Sequence, residues 1–474
     1  MEKSALLIRR FFHIKGISFQ GNAPSLKELY QRSISIAWPA TVEGALLSII
    51  GSVDTMMVGT LGSSAIAAVG LTSQPRMILL IFIQSLCVAT TALVARRKGE
   101  KDQKAANDVL KQSLVVVTAL GIVMSLAGYF GAAPFMRLAG ANEDTLEMST
   151  AYFRIISLGL VLNGWLLCIC AAMRAIGKTR ITMVTNITAN LVNVLLNYLL
   201  IGGNLGFPRL GVRGAAIATV IGTGVACLIA GYFIMYRGGY LHLRIFEKIR
   251  FDRRTLAGLF KVGSSSMAEA AFLRIGFLIT AKMIADIGTA AFATYQITSQ
   301  FTGLSFTLGD GIAAAGTALV GQSLGAKRLD LAMAHTRISR KMSVVTSIGM
   351  MIFILAFRNY IPLLFTNEQD IISGVSLSLL VFLFGVLPQN GRVVYSGCLR
   401  GAGDARYVAI CSLLSVTILR PFLTFVFCYP LNKAFPTLQF AVTGPWLAFV
   451  VDALVRDFLF TVRIRRGKWM YIRL

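Results

Sequence analysis

Residues 91–94 read Thr91-Ala92-Leu93-Val94, and the same four residues return 226 positions later (317 − 91) as Thr317-Ala318-Leu319-Val320. The triplet Thr72-Ser73-Gln74 returns at the same spacing as Thr298-Ser299-Gln300. Chance would not keep one gapless register over so many positions, so the chain is predicted to be a tandem duplication. The register also pairs Gly62 with Gly288, Glu43 with Glu269, Gly99 with Gly325, Arg174 with Arg400, Gly177 with Gly403, and Asn163 with Gln389.

The composition places both halves in a membrane. Of the 474 residues, 55% are hydrophobic and 14% are charged, and the mean hydropathy is +0.70. Soluble domains carry about 25% charged residues, so this chain is predicted to be a polytopic membrane protein. The net charge of +25 would suit a nucleic-acid binder. The long apolar runs exclude that class and place the basic excess in cytoplasmic loops.

Twelve segments are long and apolar enough to cross a bilayer as helices, which takes roughly 20 residues each. The predicted fold is all-α, with 12 transmembrane helices in two pseudo-symmetric six-helix lobes. An even number of spans gives both halves the same orientation, as in transporters built from parallel repeats. The predicted spans lie near 33–58, 66–95, 112–135, 149–173, 181–203, 213–236, 256–285, 292–322, 341–363, 371–398, 406–428 and 440–463.

The predicted segments are a cytoplasmic arm (1–32), an N-terminal lobe (33–236), an interlobe linker (237–255), a C-terminal lobe (256–464) and a cytoplasmic tail (465–474). Alternate connectors are rich in Lys and Arg, so the positive-inside rule places both termini in the cytoplasm and the chain in the plasma membrane. Two equal lobes suit transport. The non-transport alternative is a membrane receptor or scaffold, which a lack of ligand-stimulated ion flux in proteoliposomes would favour.

Two acidic residues lie in the first predicted span, where an unpaired charge costs several kcal/mol. Asp54 lies near the extracytoplasmic end, and Glu43 lies about three helical turns earlier on nearly the same face. Asp54 is interpreted as a protonatable or cation-binding carboxylate that faces a lumen, and the alternative is an interfacial residue wetted by the outer loop. For Glu43, a place in the cavity and a structural role both stay open, because its repeat partner Glu269 favours a role shared by both halves.

The fifth predicted span carries asparagines at i, i+4, i+7 and i+11, which share one face of an otherwise apolar helix. Asparagine also joins membrane helices, so helix packing is the alternative interpretation. Four asparagines on one face favour a polar pocket, because the amide carbonyl oxygen suits Na⁺ and polar substrate groups. Thr219 in the sixth span and Asn163 in the fourth could complete it. The four asparagines are Asn186, Asn190, Asn193 and Asn197.

Charges of both signs lie at or near membrane depth in the second half. Mixed signs favour internal ion pairs, mostly structural, over one titrating acid. The sequence does not assign the pairs. The residues are Arg274, Asp310, Arg392, Arg420, Asp452 and Arg456.

The candidate motifs for nucleotide and metal binding are incomplete. The residues Ile176-Gly177-Lys178-Thr179 end like a phosphate-binding loop, but Ala172 occupies the required first glycine position and a membrane helix precedes it. The seven cysteines fall within spans and lack zinc or disulfide spacing. The protein is therefore predicted not to be an enzyme and to need no cofactor.

Several motifs resemble the multidrug and toxic compound extrusion (MATE) family, and the resemblance covers nearly all twelve predicted helices. It implies an exporter in which H⁺ or Na⁺ enters while a small organic molecule, often an amphipathic cation, leaves. We expect a monomer surrounded by membrane lipid, with no nucleic-acid partner. The motifs are Trp38-Pro39-Ala40, Val53-Asp54-Thr55, Gly214-Ala215-Ala216-Ile217-Ala218-Thr219, Gly321-Gln322-Ser323-Leu324-Gly325-Ala326 and Leu399-Arg400-Gly401-Ala402-Gly403-Asp404.

The resemblance implies roles for individual residues. Asp54 is similar to the family's first-helix aspartate, which binds the coupling ion, and Pro39 to the proline at which that helix bends. The coupling site would comprise Asp54, Asn193, Asn197 and Thr219, with Asp54, Asn193 and Asn197 as ligands of a possible Na⁺. Asn163 is similar to a substrate-facing position of the family, and the intramembrane positions of Asn186, Asn190 and Glu43 add these residues to the predicted substrate cavity. The predicted polar residues of the second lobe are Glu269, Asp310, Arg392 and Gln389.

Two departures from the family pattern matter. Asn197 stands where many relatives have an aspartate, which leaves Asp54 as the sole acid of the site. Gln389 stands where one branch has a carboxylate, which favours the DinF-like branch that couples through the N-terminal lobe.

In the expected mechanism, low-dielectric surroundings disfavour the charged form of Asp54. Binding H⁺ or Na⁺ neutralises the carboxylate, and the first helix then repacks at Pro39 and expels substrate. The alternative transport function is a lipid-linked oligosaccharide flippase of the same superfamily. It needs a cationic cavity for a pyrophosphate group, which Arg274, Arg392 and Arg420 could line.

Overall fold

The computed structural model describes residues 24–236, 238–243, 251–435 and 439–472. These residues form helices, turns and connecting segments, with no strand among them. Most of the predicted arm 1–32, much of the predicted linker and the last two residues of the predicted tail lie outside the described residues.

Twelve long helical segments follow one another along the described chain. The fourth consists of two helices that bend by 48° at Gly159, and the eleventh contains two π-helical stretches. The segments are α1 (Leu26–Gly59), α2 (Ser63–Gly99), α3 (Gln103–Phe130), α4 (Glu143–Leu158 with Leu160–Ala175), α5 (Thr179–Gly202), α6 (Gly211–Met235), α7 (Arg253–Ile287), α8 (Thr289–Gly325), α9 (Leu329–Phe357), α10 (Gln369–Gly401), α11 (Ala405–Ala434) and α12 (Phe440–Arg466).

Within the described ranges, nine of these helices are long and apolar enough to cross a membrane, or ten when the bent pair α4 counts as one span. The remaining two, α7 and α12, are 35 and 27 residues long. They are less apolar because they carry charges such as Glu269 and Asp452 inside the helix. The predicted all-α membrane fold with two six-helix lobes is confirmed.

The repeat seen in the sequence is reproduced in backbone geometry. Gly177 and Gly403 both take a left-handed conformation, with φ of 83° and 90°. The Thr91 hydroxyl of α2 donates to the carbonyl of Ala171 (3.3 Å), and its repeat partner Thr317 of α8 donates to that of Gly397 (2.8 Å). Each half therefore locks the same two helices together with the same hydrogen bond.

Two compact units make up the chain, and the divisions between them fall inside helices. One unit comprises 42–264, and the other comprises 265–474 with the chain up to Thr41. Both α1 and α7 therefore contribute to two units each, whereas the predicted lobes begin at 33 and 256. The predicted lobe boundaries stay predictions, because they describe sequence repeats rather than packing.

The division in α1 lies two residues after Pro39, and the helix continues through that proline. Before it, Leu29 and Ile36 pack into a core with Leu319 of α8. Gly311 of α8 permits this approach, because a Cβ there would lie 2.1 Å from the Thr41 hydroxyl oxygen. Proline lacks the N–H that would bond one turn back, so the helix is weakened where it leaves this core.

Candidate functional site

Asp54 of α1 meets the asparagine face of α5 inside the first repeat. Asn197 donates from Nδ2 to Asp54 Oδ1 at 2.9 Å. Asn193 and Asn197 are 5% and 2% exposed, and Asp54 is half-buried. The predicted meeting of this acid with these two amides is therefore present in the structure, in a largely dry setting.

Asn193 also binds the carboxylate. In the amide orientation that satisfies its neighbours, it donates to Asp54 Oδ1 (2.9 Å) and Oδ2 (3.1 Å) and accepts from the backbone N–H of Thr219 (3.1 Å). Asp54 thus receives hydrogen bonds from two amide groups on successive turns of α5. Hydrogen bonds to a carboxylate are stronger than those between neutral groups, so they favour its ionised form against the cost of burial.

Small residues of α6 bring Thr219 to this site. A Cβ on Gly222 would lie 3.0 Å from the carbonyl oxygen of Ala189, and one on Gly214 would lie 2.5 Å from that of Leu200. At Gly214 only glycine permits such close packing of α6 on α5, and at Gly222 a side chain would be tight. The motif Gly214–Thr219 therefore acts by packing its helix tightly enough for Thr219 to contact Asn193.

One oxygen of the site has no partner. The Asn197 Oδ1 atom is buried and accepts no hydrogen bond from any described residue. A carboxylate beside an unpaired carbonyl oxygen is a donor set that a hard cation such as Na⁺ accepts. The same carboxylate could instead take a proton. No group of three or more His, Cys, Asp or Glu side chains in the described residues could hold a metal ion.

Glu43 and Asn186 form a separate cluster, toward the other end of α1. Glu43 accepts from the amide of Asn186 (2.6 Å) and the hydroxyl of Thr182 (3.1 Å) and pairs with Arg174 at 3.6 Å. Asn190 donates to the backbone carbonyl of Asn186 (2.7 Å). Of the four asparagines, two therefore bind Asp54, one binds Glu43 and one bonds within its own helix.

The Glu43 cluster has a counterpart in the second repeat. Glu269 accepts two hydrogen bonds of 3.2 Å from Arg400, which is the repeat partner of Arg174. The same ion pair thus joins the first and fourth helices of both repeats.

The remaining polar residues predicted for the second lobe have different surroundings. Gln389 is fully buried and accepts from Arg392 at 2.5 Å, whereas Asp310 and Arg274 are exposed. Asp452 lies between Arg420 and Arg456 and also accepts from Ser415. These are the internal pairs that the mixed charges predicted.

The MatE family model matches the chain twice, over residues 39–199 and 266–426. The chain belongs to the MATE family. It is therefore a multi-pass membrane transporter, and the double match agrees with the internal repeat. Its assignment to the DinF-like branch stays a prediction.

The chain is similar over most of its length to other MATE-related proteins. It is 24% identical over 436 residues to the uncharacterized transporter YisQ of Bacillus subtilis (strain 168), covering 92% of this chain and 94% of that protein. It is 28% identical over 399 residues to a probable multidrug resistance protein NorM of Bacillus licheniformis, covering 83% and 87%. A crystal structure of MATE in the bent conformation shares the fold, with a TM-score of 0.84, 20% identity and coverage of 93% and 98%.

Two residues near the MATE site escaped the sequence argument. A small cavity of about 10 Å³ is lined by the predicted residues Asn163 and Thr219 and also by Arg76 of α2. Tyr152 of α4 lies against Thr219, and the charges of Arg76 and Asp54 both act on it. Arg76 carries a sequence signal, since it is a lone basic residue within an apolar span. Tyr152 carries none.

Proposed function

We propose that this MATE transporter exports small organic molecules, often amphipathic cations, in exchange for H⁺ or Na⁺. Membership of the family supports transport, and the name of the NorM relative supports multidrug substrates. The observation that carries the coupling role is the Asp54 carboxylate held by the amides of Asn193 and Asn197.

The amides link ion binding to helix position. An amide NH₂ group can donate to an ionised carboxylate, but it cannot bind a cation or the proton of a neutral acid as an acceptor. When H⁺ or Na⁺ neutralises Asp54, at least one amide hydrogen bond to the carboxylate is weakened or lost, and amide carbonyl oxygens such as the unpaired Asn197 Oδ1 take its place as partners of the ion. The hydrogen bonds that hold α1 to α5 therefore change on ion binding.

Helix α1 is built to respond to this change. Its division between units falls just beyond Pro39, where one backbone hydrogen bond is missing. We propose that loss of the Asp54 contacts lets α1 bend there, so that the ion-bound state releases substrate and the ion-free state binds it. Coupling arises because ion and substrate differ in affinity between the two states.

The surroundings of the site determine which other residues take part. Asn163 lines the cavity beside Thr219 and is proposed to contact substrate. Glu43 is proposed to hold α1 against α4 and α5 rather than to bind substrate, because its oxygens are occupied by Arg174, Thr182 and Asn186. We place the protein in the plasma membrane as a monomer with both termini in the cytoplasm.

The flippase alternative is not favoured. The curated relatives reported above carry transporter or multidrug resistance names. The three arginines proposed for a pyrophosphate site are also unlike one another, since Arg274 is exposed while Arg392 and Arg420 are buried.

The test is efflux by Asp54→Asn in a host that lacks its own drug pumps. We expect loss of ethidium efflux and of drug resistance at normal expression. The neutral amide of the variant cannot bind H⁺ or Na⁺ in exchange for a cationic substrate. Asp286→Asn is the matched control, since Asp286 is an exposed acid in the last turn of α7, and it should retain full efflux. Proteoliposomes with separately imposed pH and sodium gradients would identify the coupling ion. Full efflux by Asp54→Asn would reject the coupling role.

A further inference from the structure

A cavity of about 210 Å³ lies within the second unit, among α7, α8, α11 and α12. One of its lining residues, Gly303, is exposed, so the cavity connects with the surface of its unit. Its lining includes five aromatic rings and Arg420. The rings belong to Phe277, Tyr295, Phe306, Trp446 and Phe449.

The cavity occupies the repeat position of the carboxylate site. Thr280 and Pro445 line it, and they are the residues 226 positions after Asp54 and Thr219. The position equivalent to Arg420 in the first repeat is Val194, on the same helix as Asn193. The carboxylate site of the first repeat and this cavity thus lie at equivalent places, one with an acid and the other with a base.

Two residues that line the cavity each carry an unused donor nitrogen, which is buried beneath the wall rather than open to the cavity. Arg420 Nε and Trp446 Nε1 have no hydrogen-bond partner among the described residues, and these side chains are 4% and 3% exposed. The Thr280 hydroxyl donates to a carbonyl of its own helix, at Gly276. A buried donor without a partner costs about 1–3 kcal/mol, so a ligand that supplies acceptors would bind favourably here.

The charge around the cavity points to an anion. Arg420 and Arg456 share one buried carboxylate, Asp452, and the charges of all three act on the buried Arg392. Asp310, which is more exposed, also acts on Arg392, so three buried arginines face two aspartates and one positive charge is left over. An uncompensated charge at membrane depth is costly, so it marks a binding pathway more often than a packing role.

Local backbone geometry supports a binding role. Residues Leu413–Leu419 are π-helical, and Arg420 follows them directly. Such stretches are found frequently at functional sites. The guanidinium of Arg420 lies over the rings of Phe277 (5.2 Å) and Phe449 (4.8 Å), which hold it at the cavity wall.

We propose that this cavity binds a small aromatic carboxylate as a second class of ligand, distinct from the cations assigned to the Asp54 site. The side chains of Arg420 and Trp446 turn toward the entering carboxylate, which then accepts from Arg420 Nε and Trp446 Nε1, and the ring of the ligand lies among the aromatic walls. The size fits one ring with an acidic substituent, because a cavity of roughly 150 Å³ already holds benzene.

The test measures binding of radiolabelled benzoate to the full-length protein in lipid nanodiscs. Benzamide and benzylamine have nearly the same shape but are neutral and cationic. We expect benzoate to bind at least about tenfold more tightly than either, because only the anion satisfies both donors and the charge surplus. Equal binding of benzoate and benzamide would overturn the proposal.

Two variants test whether benzoate binds in this cavity. Trp446→Phe keeps the ring and removes one donor, and we expect benzoate affinity to fall about tenfold. Trp165→Phe is its matched control, since Trp165 lies in the other unit and its Nε1 donates to Thr118. Arg420→Gln should abolish benzoate binding, with Arg340→Gln as control. If folded Trp446→Phe and Arg420→Gln both bind benzoate like the wild type, the assignment is wrong.

The benzoate-binding experiments do not depend on whether Asp54 couples ion binding to efflux. Asp54→Asn should change benzoate affinity by less than about twofold, because it lies in the other repeat and carries a charge outside this cavity. Loss of cation efflux in that variant with intact benzoate binding supports both sites. Intact efflux with intact benzoate binding refutes only the role of Asp54.

Discussion

The buried carboxylate of Asp452 is predicted to be the largest single electrostatic contributor to the stability of the second unit. Its side chain is fully buried and accepts hydrogen bonds from Arg420, Arg456 and Ser415. Asp452→Asn keeps the size of the side chain and removes its charge. Two buried guanidiniums then lose their common counter-ion.

The expected loss of unfolding stability follows from the burial of the ion pairs that Asp452 forms. Removing one partner of a buried ion pair costs about 3–5 kcal/mol, because the other charge stays buried without compensation. For a domain of roughly 150–250 residues, each kcal/mol lowers the melting temperature by about 2–4 °C. Asp452→Asn should therefore melt about 6–20 °C below the wild type.

Thermal unfolding of the purified protein in detergent, followed by size-exclusion fluorescence, measures this loss. The matched control is Asp457→Asn, which pairs with Arg340 among the described residues in an ion pair that is partly exposed, at 19% and 16%. Its melting temperature should fall much less, because solvent screens the remaining charge.

A triple variant separates charge balance from packing. Arg420→Met, Asp452→Leu and Arg456→Met together replace the network by apolar side chains, and the repeat partners Val194, Ala226 and Ala230 are already apolar. Complete apolar replacement of such a network is often neutral, so the triple variant should melt well above the single one. A single variant within about 2 °C of the wild type, or a triple variant no more stable than it, would refute the reasoning.

Two further predictions concern the repeated ion pair and the coupling site. Glu269→Gln should lower unfolding stability by about 1.5–3 kcal/mol, more than Glu43→Gln, because Arg400 binds Glu269 through two hydrogen bonds while Glu43 keeps two neutral partners. Equal melting temperatures of both variants and the wild type would contradict this. Asn197→Asp places a second carboxylate about 2.9 Å from Asp54, and two such groups cannot both stay ionised. Proton-driven efflux in proteoliposomes should then persist to higher external pH than in the wild type, and an unchanged pH profile would count against the coupling role.

The sequence alone determined the class of fold. The hydropathy of a span is the sum over its own residues. Each apolar segment could therefore be recognised without knowing which helices pack against it. The register of 226 residues revealed the duplication for the same reason. The i, i+4, i+7 and i+11 spacing placed four asparagines on one face, and family resemblance selected Asp54 as their partner.

Only the tertiary structure decided which polar groups meet. The asparagine face looks uniform in sequence, yet Asn186 binds Glu43 while Asn193 and Asn197 bind Asp54. The partners lie on α1, so the outcome depends on how α1 crosses α5, which no local pattern encodes. Tyr152 was missed for a similar reason, because its contact with Thr219 depends on how α4 packs against α6.

The charges of the second half show the same limit. Their signs predicted internal pairing, but not that Asp452 serves two arginines or that Arg420 faces an aromatic cavity. Helix α1 likewise reads as one apolar span and nevertheless contributes to two units, on either side of a point just beyond Pro39. A membrane span is determined by transfer of its own residues into lipid, whereas ion pairs, cavities and hinges depend on which helices become neighbours.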